Sequence, residues 1–194
     1  MARIHRRTVP GVTDFKSIIL RNAGNDFDYL YMRDAIIQRV MGQNADLDWQ
    51  AWQPAIVYIN GTYKGILNIR ERSNEDNIYT NYEGLEDIDM IENWSQLKEG
   101  DKTNWRQFRT FYNEEGHTLE EYSQWMDWKE FINLMVMNIY YNNQDFPGNN
   151  IVMWRPRTEN GKWDTLQLAA VLEVTPEFIR KKMEAVHPRR SYSA

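Results

Sequence analysis

Asp145 and Asn150 stand five residues apart in the segment Asn142-Asn-Gln-Asp-Phe-Pro-Gly-Asn-Asn150. A carboxylate held in a loop by rigid flanks can take a proton from a hydroxyl, which is the work of a general base. A carboxamide oxygen close by is a hard ligand that suits Mg²⁺. The spacing is common by chance, and the same residues also suit an Asx-rich turn that closes a helix. Other chemistries have less to stand on. The chain has no Cys, which excludes a disulfide framework, a Cys nucleophile and Cys-ligated metal. Its three His, at positions 5, 117 and 187, lack ligand spacing and read as solvated surface residues. The glycine-rich phosphate loops are absent, and no Ser sits in a nucleophile elbow. Asp87 and Asp89 alternate as a strand-face pair would, but their acidic surroundings read as a solvated loop.

The elements that must position these residues are legible in outline. Phe15–Arg21 reads as a strand, followed by a polar turn over Asn22–Asp26. A helix of about 14 residues follows, with Asp28 as its cap and Ile37 and Met41 at helical spacing. Arg33 and Asp34 then fall mid-helix and require a polar partner. Asn60-Gly61 lies between two β-rich runs, the strongest short hairpin signal, because a type I′ turn needs positive φ at both central positions. Asp87–Ile91 is a candidate short strand. Three helices come next. Trp105, Phe108, Phe111 and Tyr112 line the first. Thr118 and Glu121 open the second as a capping box. Asp127 opens the third, whose wide apolar face implies burial on most sides. Pro147 and Gly148 forbid its continuation. A second hairpin spans Ile151–Trp163 around Asn160-Gly161, and a helix near 176–186 closes an α+β order.

Composition sets the class of partner. The chain has 194 residues, 42% apolar and 26% charged, enough to bury a core. The net charge is −5; residues 1–16 and 177–194 carry +3 each, which leaves −11 for the body. An acidic body repels nucleic acid and anionic membrane. No apolar run approaches the ~20 residues of a membrane-spanning helix, and no apolar stretch follows the basic N-terminus to make a secretory leader. Eight Trp and eleven Tyr admit a carbohydrate-binding reading, although large residues that fill a small core explain them as well.

Protein kinases place an Asp and an Asn at this spacing in their catalytic loop. The chain resembles the CotH family, the spore-coat-protein-H-type atypical protein kinases, from about Phe15 to Trp163. The resemblance lies in Ile19-Leu-Arg-Asn-Ala-Gly-Asn-Asp26, Met32-Arg-Asp34, Tyr58-Ile-Asn-Gly-Thr-Tyr-Lys-Gly-Ile66 leading to Arg70-Glu71, Asn143–Asn150, and Gly161-Lys-Trp163. It implies a kinase-like α+β fold, with a hairpin-containing N-terminal part and a helical C-terminal part, and a nucleotide held between two lobes. It implies transfer of the ATP γ-phosphoryl group, with Mg or Mn, to Ser or Thr of a protein such as a coat protein. By position, Asp145 looks like the catalytic Asp and Asn150 like the metal ligand. Arg21 and Glu71 would grip the phosphates and fix the grip; a structural ion pair, or bonds to the Asn22–Asp26 turn, accounts for them equally.

One departure counts against activity. The family follows Gly-Lys-Trp with an apolar strand and an Asp-x-Asp motif that chelates the nucleotide's metal. Here Asp164-Thr-Leu-Gln-Leu-Ala-Ala-Val-Leu-Glu173 follows instead. The expected organisation is a basic tail over 1–14, a partial kinase-like domain over 15–163 and a divergent basic segment over 164–194, in a truncated or rearranged piece. A missing metal-chelating carboxylate costs orders of magnitude in rate. The alternative is a non-catalytic carbohydrate- or protein-binding module of a cell envelope or coat. The resemblance suggests an envelope, coat or secreted location; substrate, compartment and oligomeric state stay open at this point.

Overall fold

In the computed structural model of the chain, residues 15–27, 29–143 and 145–167 are described. The proposed cap Asp28, the outer His5 and His187, both basic ends and the helix near 176–186 lie outside them. The elements run β1 (Ile18–Arg21), α1 (Arg33–Asn44), β2 (Trp52–Ile59), β3 (Thr62–Glu71), α2 (Glu75–Asn81), β4 (Ile88–Glu92), β5 (Gln96–Glu99), α3 (Thr103–Asn113), α4 (Leu119–Trp125), α5 (Trp128–Tyr140), β6 (Ile151–Pro156) and β7 (Asp164–Gln167). Two antiparallel sheets result, ordered β1-β3-β2 and β5-β4-β6-β7, so the fold is α+β as expected.

The Asn60-Gly61 hairpin forms. Asn60 has φ 50° and Gly61 φ 78°, and Ile59 pairs with Thr62 across the turn. The Thr118–Glu121 capping box is present in full, and Asp127 accepts the amide of Glu130 to open α5. The helix α1 starts at Arg33, later than the sequence suggests. Asp26 accepts the amides of Leu30 and Arg33, and the Arg33 guanidinium lies 2.8 Å from it. Arg33 and Asp34 therefore occupy the first turn, beside their partners, rather than the middle of a helix.

The second sheet carries the core on both faces, which follows from strand alternation. Ile91, Ile151 and Met153 pack with Trp105, Phe108, Leu134, Met41 and Trp163. Ile88, Met90, Val152 and Trp154 face the other way and pack with Ile78 and Leu166. β5, which the sequence did not signal, is a short exposed edge strand.

Three expectations need correction. The helix α5 is not buried on most sides. Its inward positions are Glu130, Leu134 and Asn138, while Ile132, Val136 and Ile139 are exposed, Ile139 at 72%. Tyr112 is exposed at 59% and does not line the core with Trp105 and Phe108. His117 is not simply solvated. Its ring stacks on Phe111 at 3.7 Å, and a ring nitrogen meets the Phe111 carbonyl at 2.9 Å.

Candidate functional site

The loop between α5 and β6 is built by carboxamides. Asn142 adopts φ 55°, and the amides of Asn142 and Asn143 return to the carbonyls of Ile139 and Asn138. This is a Schellman closure with Asn at the left-handed position. The helix is thus stopped by Asn142, ahead of Pro147 and Gly148.

From there a ladder runs to the acid. Asn138 Nδ2 donates to the Leu134 carbonyl at 2.8 Å. Asn143 Nδ2 donates to Asn138 Oδ1 at 2.7 Å. The Asp145 amide donates to Asn143 Oδ1 at 3.3 Å. Asn138 and Asn143 are buried, so the first two rungs are held where water does not compete.

Asp145 itself is half-buried. Its Oδ2 accepts the carboxamide N–H of Asn150 and, at 3.4 Å, that of Asn149. Asn150 sits at φ 60°, which lets its side chain fold back before β6 begins. The loop is tied to the β4–β5 turn by Trp94 Nε1, which donates to the Pro147 carbonyl at 2.6 Å, and by Asn93, whose amide donates to the Ile151 carbonyl at 2.9 Å. The structure therefore brings Asp145 and Asn150 together.

Arg21 and Glu71 do not meet. Residues opposite each other on paired strands point to the same side. Arg21 lies opposite Asn68 and Ile19 opposite Arg70, so Arg21 and Arg70 share a face and Glu71 points away. The partner of Arg21 is Asp34, at 3.3 Å, and Arg70 binds the same carboxylate oxygen. Burial pushes the Arg21 guanidinium below its ordinary pKa; Asp34 opposes that shift and Arg70 adds to it. Glu71 accepts the Ala51 amide at 2.9 Å and Asn81 Nδ2 at 2.7 Å. Gln38 bonds Asp34 and Gln50, and Gln50 donates to the Glu71 backbone carbonyl, so a polar path links Asp34 to the end of β3.

A second group of acids lies elsewhere. Asp48, Glu130 and Asp164 have carboxylate oxygens within 4.8 Å of one another. Protein donors already engage them. Asp48 accepts from Tyr82 and Trp154, and Glu130 accepts the Asp48 amide. Asp87 and Asp89 serve structure as well: Arg155 lies 3.0 Å from Asp89, and Arg157 reaches both.

For a divalent cation at the loop, the donor set fits in kind. Asp145 and Asn150 supply only carboxylate and carboxamide oxygens, the hard donors that Mg²⁺ takes. Sequence reasoning singled out both residues but not the carboxamides that support them. Asn138 interrupts an otherwise apolar run, and that was the visible trace of the ladder. Asp34 lay within a quoted motif, yet its pairing with Arg21 needs the strand register and the start of α1. All eight Trp are buried or half-buried, so none stands as a fully exposed indole.

The architecture is that of an α+β protein with a polar loop joining the helix α5 to the strand β6. The family described as CotH kinase protein matches residues 3–167, and the chain belongs to that family. No curated protein and no solved structure matches it. No helix among the described residues is long and apolar enough to cross a membrane.

Proposed function

We propose that the chain is a nucleotide-binding domain of the protein-kinase type, with Asp145 as general base toward a Ser or Thr hydroxyl of a protein. In the step, Asp145 takes the hydroxyl proton as the oxygen bonds to the γ-phosphorus. The bond from that phosphorus to the bridging oxygen breaks, and ADP leaves with the electron pair. Asn150 orients Asp145 through its carboxamide N–H and offers its oxygen to a divalent cation. Mg or Mn, when bound, neutralises charge on the transferring phosphates. Arg21, held by Asp34, is the cation for the phosphates. Glu71 fixes the end of β3 on which Arg70 sits.

The observation that supports this reading most is the side-chain contact between Asn150 and Asp145, inside the segment that the family match covers. The absence of an Asp-x-Asp motif after Trp163 removes a metal-chelating carboxylate and argues for weak transfer.

The test has two parts. ATP with Mn²⁺ should raise the melting temperature in proportion to RT ln(1 + [L]/Kd). Any transfer to a Ser-rich protein should fall at least ~100-fold in Asp145→Asn, the scale of a lost general base. Equal transfer by that variant removes Asp145 from the mechanism, and no response to nucleotide sinks the whole reading.

A further inference from the structure

The helices α3, α4 and α5 border a cavity of about 430 Å³ that does not include Asp145 in its lining. Small-molecule sites fall between roughly 300 and 1,000 Å³ and are mostly apolar with a few placed polar groups. Trp94, Trp105, Phe108, Trp128, Phe131 and Met153 form its walls. Trp94 and Trp105 stack with ring centroids 6.4 Å apart, so two indoles contribute to one wall. Tyr112, Leu119 and Ile132 also line the cavity, and all three are exposed, so the space opens to solvent through apolar side chains.

Among the described residues, Arg109 is the charged one that lines this space. It is exposed and follows Phe108 on α3. Among the described residues no ion pair or hydrogen bond engages its guanidinium. A cation at the edge of an apolar cavity selects a ligand with an apolar body and a single anionic end. A sugar does not fit, because its hydroxyls would be buried against aromatic walls with too few partners. Nor does a nucleoside triphosphate, whose several charges would face one cation.

We propose that this cavity binds an amphipathic monoanion, an alkyl or aryl carboxylate, with the apolar body between α3 and α5 and the carboxylate on Arg109. The proposal is independent of the nucleotide reading. Trp94 joins the two regions, since it walls the cavity and donates to Pro147 in the Asp145 loop.

The test titrates the whole chain with dodecanoate and, separately, with dodecyltrimethylammonium, following Trp fluorescence and melting temperature. Dodecanoate should saturate, shift the indole emission and raise the melting temperature. The cationic amphiphile should bind at least about tenfold more weakly, a gap set by the sign of the charge at the mouth. Arg109→Gln should weaken dodecanoate by about tenfold, and Ile132→Trp, which fills the mouth, should abolish binding. Both sites are exposed, and circular dichroism checks that both variants fold; the comparison of the two amphiphiles on the unaltered chain does not depend on them. Equal binding of both amphiphiles overturns the proposal. So does a non-saturating, detergent-like response, or dodecanoate binding untouched by both variants. Light scattering that shows a second copy closing the mouth overturns it too.

Discussion

Asp34 holds Arg21 at 3.3 Å and takes Arg70 on the same oxygen, so one carboxylate on α1 gathers cations from two neighbouring strands. Arg70 is only 2% exposed, and a buried guanidinium without its carboxylate is strongly destabilising. Asp34→Asn should therefore lower stability by about 3–5 kcal/mol in urea unfolding. Arg21→Gln should cost clearly less, because Arg21 is 29% exposed and water partly replaces the pair. Equal losses would mean that the two strands do not share the acid.

The ladder to Asp145 gives a second expectation. Asn138→Leu keeps the branching at Cγ but leaves Asn143 Nδ2 without its acceptor in a buried place. Stability should drop by about 1–3 kcal/mol. Amide exchange over residues 143–150 should accelerate in the same variant. An unchanged exchange rate there would show that the loop holds its shape without the ladder.

Gly161 is required by close approach. A Cβ at this position would lie 2.0 Å from the Pro156 carbonyl oxygen, backbone that cannot rotate away. Gly161→Ala should cost about 1–3 kcal/mol, as overpacking does. Gly148 has nothing within 4 Å of such a Cβ, and Gly148→Ala should stay within about 0.5 kcal/mol. The two melting curves, run together, separate local crowding from a general effect of replacing glycine.

The capping box sets an acid response. The Thr118 amide, then its hydroxyl, hold the Glu121 carboxyl below its ordinary pKa. A group depressed in the folded state adds stability above its unfolded pKa and loses it as pH falls through the folded one. The Asp101 carboxyl, lowered mainly by the Thr103 amide, acts in the same direction. The melting temperature of Glu121→Gln should trail that of the unaltered chain at neutral pH. The gap should close as pH falls below the ordinary glutamate range. A gap that stays constant with pH would assign the loss to packing.

The residue order alone determined the pieces whose cause is local. The Asn60-Gly61 hairpin, the Thr118–Glu121 box and the Asp127 cap rest on φ preferences and on hydrogen bonds within four residues, so they are visible without a fold. The motif blocks carried the family, and the resemblance, not the five-residue spacing by itself, singled out Asp145 and Asn150. Only the tertiary structure decided which acid faces Arg21, because a strand side chain's direction depends on register with β3 and its partner comes from α1. It also decided that α5 turns Glu130 and Asn138 inward and leaves Ile139 in water. Apolar count favours the opposite face, but buried donors and acceptors from residues 48 and 143 make the polar one the stable choice.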